Sequence, residues 1–210
     1  MTRSYPHARI DVRRPNLEMK VSAVVPAYNE EATIGDVVST LAQVPLIDEV
    51  VVVSDGSVDG TAEVARKYGA KVIEMASNVG KGAAMKEGVL ASDGDIILFV
   101  DADLIGLTGQ HITDLLRPVL SGEADATVGL FERGRIATDL AQVVAPFLSG
   151  QRAVRREFLK DFWDQEVAGF EVEVALTRCL KKKGARVTEV VLGDLTQRMK
   201  EEKLGVMRGF

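Results

Sequence analysis

The chain has 210 residues, 46% hydrophobic and 27% charged, with a formal net charge of −5. That balance suits one soluble globular domain with a substantial core. It excludes a general nucleic-acid binder, which needs an excess of Lys and Arg against phosphates.

Cys179 is the only cysteine, so no internal disulfide forms, and a reducing cytoplasmic setting is expected. No apolar run reaches the roughly 18 residues of a membrane helix. Residues 1–18 carry Arg3, Arg9, Arg13 and Arg14 without an apolar centre and are expected to form a flexible tail. The patterned chain begins at Met19. A single domain over 19–210 is expected, with a nucleotide half (19–105) and an acceptor half (106–210).

The first predicted strand is the apolar run 21–25, stopped by Pro26. A helix is expected from about Glu30, because Ile34, Val37, Val38 and Leu41 repeat at helical spacing. Residues 49–53 read as a second strand, followed by the turn Ser54-Asp55-Gly56-Ser57. A helix from Thr61 carries Val64, Ala65 and Tyr68 inward and stops at Gly69. Residues 71–74 form a third strand, the glycine turn 78–82 leads into a short helix to Leu90, and 95–100 is the fourth strand. The alternation predicts an α/β fold, a mostly parallel sheet with helices on both faces.

The second half is less regular. Helices are expected over 110–120, 137–144, 152–163 and 171–183, and strands over 126–131 and 186–192. Val154, Phe158 and Phe162 supply the apolar side of the 152–163 helix.

Four turns at predicted strand ends carry the chemistry. Asp101 and Asp103 sit at i and i+2 after an apolar strand, so their carboxylates share a side. Such a pair suits a hard divalent cation, which shares its oxygens with substrate phosphates. In Pro26-Ala27-Tyr28-Asn29-Glu30, backbone N–H groups open a helix, where anions are favoured. Around Asp55, Gly56 and Gly60 permit tight turns, and the carboxylate can accept from a base or ribose. In Asn78-Val79-Gly80-Lys81-Gly82, the glycines admit a ligand and Lys81 offers a cation to a diphosphate.

Together these turns resemble the family-2 glycosyltransferases of the GT-A fold, closely over 21–103 and more loosely beyond. The resemblance implies a nucleotide-sugar site at Pro26, Ala27, Tyr28, Asn29, Glu30, Asp55, Lys81, Asp101 and Ala102. The donor is a UDP- or GDP-hexose. It implies Mg2+ or Mn2+ on Asp101 and Asp103. Ser54 stands where the family commonly has an aspartate, which leaves Asp55 as the base-reading carboxylate.

The acceptor half is similar to polyprenyl-phosphate sugar synthases, through Ser149-Gly150-Gln151-Arg152, and to glucosyl-3-phosphoglycerate synthases, through Thr196-Gln197-Arg198. These imply a phosphorylated acceptor, either polyprenyl phosphate with peripheral membrane contact or a small phosphorylated acid. Arg133, Arg135, Arg152, Arg198 and Lys200 are its expected anchors. Gln197 replaces a metal-binding histidine and is expected to offer an oxygen to the cation. His7 and His111 are not placed to do so. Asp103, Glu171 and Arg198 are the expected catalytic groups, with Glu171 as a candidate base or helix cap. A nucleotidyltransferase would instead show a glycine-rich basic loop after the first strand. A non-catalytic nucleotide-binding module remains the third alternative.

Overall fold

The computed structural model describes residues 19–131, 149–163 and 171–197. Its first half alternates β1 (Val21–Ala27), α1 (Ile34–Ala42), β2 (Glu49–Asp55), α2 (Thr61–Lys67), β3 (Lys71–Met75), α3 (Lys81–Leu90) and β4 (Ile96–Phe99). The second half adds β5 (Leu104–Ile105), α4 (Gly109–Leu120), β6 (Ala126–Phe131), β7 (Arg152–Arg155), α5 (Glu171–Lys182), β8 (Val187–Leu192) and β9 (Thr196–Gln197).

Seven strands form one sheet in the order β3-β2-β1-β4-β7-β6-β8, and β5 and β9 form a separate two-stranded piece. The expected mostly parallel sheet is borne out. Pairings β1–β2, β1–β4, β2–β3 and β6–β8 are parallel, while β7 runs antiparallel to both β4 and β6.

Alternation along the strands divides the core into two layers. Val21, Ala23 and Val25 face one way and pack with Val37, Val38 and Leu41 of α1 and Ile112, Leu115 and Leu116 of α4. Val24, Ile97 and Phe99 face the other way, against Met85 and Val89 of α3 and Val172, Leu176 and Leu180 of α5. Each fully buried aliphatic or aromatic side chain here contributes about 1.5–3 kcal/mol relative to exposure.

Three expectations are corrected. β1 continues through Pro26 to Ala27, and α1 starts only at Ile34, because Asn29 takes a left-handed conformation (φ 54°) and a turn intervenes. Tyr68 is not directed inward: it stays 42% exposed, its ring lying close to Gly35 of α1. Residues 152–163 are not a helix but strand β7 followed by a 3-10 turn, Arg156–Leu159. Val154, Phe158 and Phe162 do share one apolar layer, but a strand and a turn bring them there. The predicted helix 137–144 lies outside the described residues.

Candidate active site

The antiparallel β7 explains how the two halves meet. It pairs Phe99 with Arg152 and Leu98 with Ala153. Its amino end therefore lies at the carboxyl end of β4, which sets Ser149-Gly150-Gln151 beside Asp101. A Cβ built on Gly150 would stand 2.3–2.6 Å from the carboxylate atoms of Asp101, so only glycine admits the approach. The β5–β9 ladder does the same from another side, pairing Leu104 with Gln197.

Asp101 is the centre of the arrangement. Its Oδ1 accepts from Lys81 Nζ at 2.6 Å, and its Oδ2 accepts from Gln151 Nε2 and Gln197 Nε2, each at 2.8 Å. Lys81, first residue of α3, also donates to Glu173 Oε1 at 2.6 Å. Burial works to lower the Lys81 pKa, but the Asp101 and Glu173 carboxylates outweigh it and hold the ammonium above its ordinary value. Glu173 is 4% exposed, and its Oε2 is buried with no hydrogen-bond partner among the described residues. An acceptor atom left in that state is costly unless something donates to it.

Arg152 stands behind this group. It is 1% exposed and donates through Nε to Ser149 O and through Nη1 to Thr177 Oγ1. Thr177 in turn donates to the Glu173 carbonyl. Burial pulls the guanidinium down to about 10, against the raising pull of Glu173 and Asp101, so it remains charged at neutral pH. Arg152, expected at the start of a helix as an anchor for the acceptor phosphate, is an enclosed strand residue. Ser149 and Gln151 are likewise buried, Ser149 donating to Gly129 O.

The nucleotide-side turns are sewn together. Asn29 N donates to Ser57 Oγ, and Asn29 Oδ1 accepts from Val58 N. Glu30 N donates to Thr61 Oγ1, and Glu30 itself is buried. Asp55, expected to face a base, turns its carboxylate onto the glycine turn, accepting from Val79 N and Gly80 N at 2.8 Å each. Gly56 adopts φ 68°, and a Cβ there would lie 2.4 Å from Ser77 and Asn78 backbone atoms. Pro26 and Ala27 end β1 beneath this edge. Three apolar side chains stay exposed on the three turns: Tyr28 at 48%, Val58 at 89% and Val79 at 61%.

Of the other expected site residues, Ala102 is buried and Asp103 is half-buried beside the β5–β9 ladder. Glu171 begins α5, but its side chain, and all of Arg133, Arg135, Arg198 and Lys200, lie outside the described residues. His7 does too, while His111 is spent in the Thr108 capping box of α4. The residue that sequence reasoning missed is Glu173. A signal existed: it lies three before Leu176 on the buried stripe of α5, where a carboxylate needs a cationic partner.

Among the described residues no cluster of three or more His, Cys, Asp or Glu stands ready to hold a metal. The groups beside Asp103 nevertheless fit a hard cation, since carboxylate and amide oxygens are the donors at hand and a diphosphate would supply more. No helix among the described residues is long and apolar enough to cross a membrane.

Residues 22–177 match the family described as glycosyl transferase family 2. Glucosyl-3-phosphoglycerate synthase of Mycobacterium tuberculosis is 37% identical over 122 residues, 54% of this chain and 38% of that protein. The dolichyl-phosphate beta-glucosyltransferase of Drosophila melanogaster is 39% identical over 118 residues, 47% of this chain and 36% of that protein. The chain thus spans well under half the length of either relative. The crystal structure of the M. tuberculosis synthase with Mn2+, UDP-glucose and phosphoglyceric acid superposes with a TM-score of 0.76 at 30% identity, covering 90% of this chain and 76% of that one.

Proposed function

The chain belongs to glycosyl transferase family 2, and from that premise we propose that it moves a hexose from a UDP- or GDP-sugar to a phosphorylated acceptor. The observation that carries this reading is the cluster Lys81–Asp101–Glu173 at the head of the sheet, with a buried Glu173 oxygen that has no partner among the described residues. It offers a cation for a diphosphate and an acceptor atom for a sugar hydroxyl within one side-chain network.

The exposed apolar rim of Tyr28, Val58 and Val79 lies along the nucleobase. Asp55 acts by fixing the 78–80 turn that presents Lys81. The diphosphate takes Lys81 Nζ in exchange for part of its contact with Asp101. Glu173 Oε2 accepts from a hydroxyl of the hexose. Asp103 and Asp101 would hold a divalent cation, which when bound would offset charge on a departing diphosphate. In the transfer, an acceptor oxygen bonds to the anomeric carbon, and the bond from that carbon to the diphosphate breaks with its electron pair leaving on the nucleotide; an ionised phosphate oxygen releases no proton, and a hydroxyl gives its proton to the departing diphosphate.

On the acceptor side, the Ser149–Arg152 segment supports Asp101, and Arg152 supplies a fixed positive charge behind it. Arg135, Arg198 and Lys200 are assigned to the acceptor phosphate, and Arg198 is also assigned a catalytic role. Between acceptors, the superposition with the phosphoglyceric acid complex favours UDP-glucose with a small phosphorylated acid over polyprenyl phosphate. We place the protein in the cytoplasm, with membrane contact only if the acceptor is lipid-linked.

The test is a grid of UDP-glucose and GDP-mannose against 3-phosphoglycerate and polyprenyl phosphate, with Mg2+ or Mn2+ and with chelator. Metal-dependent release of nucleoside diphosphate that requires one phosphorylated acceptor supports the reading. Metal-dependent nucleotide binding without transfer to any acceptor would replace it with a nucleotide-binding module.

A further inference from the structure

We propose that Arg152 is a positioning residue and not an anchor for the acceptor phosphate: its enclosed guanidinium ties Glu173 to the head of β7 and stays as that carboxylate's counter-charge when a diphosphate draws Lys81 away. This inference rests on the transfer reading above and deepens it.

An arginine inside a sheet is held there by its surroundings. β7 pairs Arg152 with Phe99 of β4 and with Val128 of β6, so its backbone is fixed from both sides. The side chain is 1% exposed, too little for an acceptor phosphate to reach it. Its planar fork instead joins two elements of the protein. Nε donates to Ser149 O at 2.7 Å, just before β7, and Nη1 donates to Thr177 Oγ1 at 2.6 Å, on α5. Thr177 Oγ1 donates in turn to Glu173 O at 2.9 Å, one helical turn back. The relay from Arg152 therefore ends on the backbone of the residue whose carboxylate meets Lys81. Its other arm holds the carbonyl that precedes Gly150, the glycine packed against Asp101.

The charges follow the same plan. Lys81 bonds Asp101 and Glu173 directly, and Arg152 lies in the field of both carboxylates. Two anions and two cations are thus gathered together, as enclosed charges require. The two cations differ in reach. The Lys81 side chain is 30% exposed, on a flexible stem, and a diphosphate can draw it away. Arg152 is locked. When Lys81 turns to the donor, Arg152 is the cation that stays with Glu173 and keeps it placed for a hydroxyl of the sugar.

Steady-state kinetics on two mild variants separates this role from that of an acceptor anchor. Arg152→Lys keeps the charge but not the fork, and Thr177→Val removes the relay but not the charge. Each should lower kcat about tenfold, the scale of a small misplacement at a reacting centre. Each should leave KM for the phosphorylated acceptor within about twofold of wild type. An acceptor KM that rises more than kcat falls overturns the inference, as do unchanged kinetics in both variants. Urea unfolding of Arg152→Met, with and without Glu173→Gln, tests the counter-charge with no turnover. Arg152→Met should lower the midpoint, and adding Glu173→Gln should restore part of the loss, whereas Glu173→Gln in wild type should give no gain. The same effect of Glu173→Gln in both backgrounds overturns the pairing. A wild type that transfers sugar to no acceptor overturns the functional reading, while the unfolding midpoints still decide whether Arg152 is the counter-charge of Glu173.

Discussion

The two flanks of β4 differ in how they build a site. On the β1–β3 side, turns are held by backbone and short side chains: Asn29 to Ser57 and Val58, and Asp55 to Val79 and Gly80. On the β7–β8 side, long polar side chains do the work: buried Gln151 and exposed Gln197 bond Asp101, buried Glu173 bonds Lys81, and buried Arg152 adds its charge near Asp101 and Glu173. The first flank is a shaped surface whose parts are local in sequence. The second is a network whose hydrogen-bonded partners are up to 96 residues apart. Damage to a turn should loosen nucleotide binding, whereas damage to the network should cost chemistry and stability together.

The largest effect is expected at the join. Asp103→Ala should lower transfer by about a thousandfold, the loss of several kcal/mol of charge stabilisation on the diphosphate. Steady-state kinetics with saturating donor checks this, and full activity with metal still required would remove Asp103 from the metal site.

Gly150→Ala comes next. The new methyl must displace the Asp101 carboxylate or part β7 from β4. A shift of about 1 Å at a reacting centre can cost on the order of a hundredfold in rate. Activity should fall that far while UDP binding, which depends on the other flank, falls less. Equal losses of both would break the distinction between flanks.

Lys81→Met tests the network's charge balance. It leaves the nearby Asp101 and Glu173 carboxylates without their shared cation. Because Lys81 is partly exposed, the destabilisation should be about 2–3 kcal/mol, at or below the low end for a broken buried pair. A lower denaturation midpoint with unchanged slope would show it. Unchanged stability would mean that Lys81 does not hold these carboxylates.

The smallest effect lies far from the site, at Asp125 and Arg186. Hydrogen bonds from Arg186 hold the Asp125 carboxyl below its ordinary 3.8. A depressed carboxylate adds stability above its unfolded pKa and loses it as pH falls through the folded value. Asp125→Asn should therefore be slightly less stable than wild type at neutral pH. The gap should close in acid and leave transfer unchanged throughout.

The same contrast explains what the sequence made legible. Buried parallel strands read as short apolar runs, so β1 to β4 and the turns after them emerge from pattern alone. The sheet class was expected and is found. The other flank misleads because apolar spacing records burial and not the element that achieves it. Val154, Phe158 and Phe162 look helical at intervals of four, yet β7 and a 3-10 turn deliver them to the same layer. Arg152 misled in a related way, since an arginine at the start of a supposed helix reads as open to a phosphate, whereas the strand encloses it. Asp55 looked free to meet a base because its partners, Val79 N and Gly80 N, are backbone groups that no side-chain motif announces.

The central claim is that the two flanks make one metal-dependent nucleotide-diphosphate site across Asp101 and Asp103. Isothermal titration of UDP into the protein, with Mn2+ and then with chelator, tests it most directly. The account predicts binding that appears with Mn2+, disappears with chelator and is lost in Asp103→Ala. UDP binding of equal strength in all three conditions would contradict it.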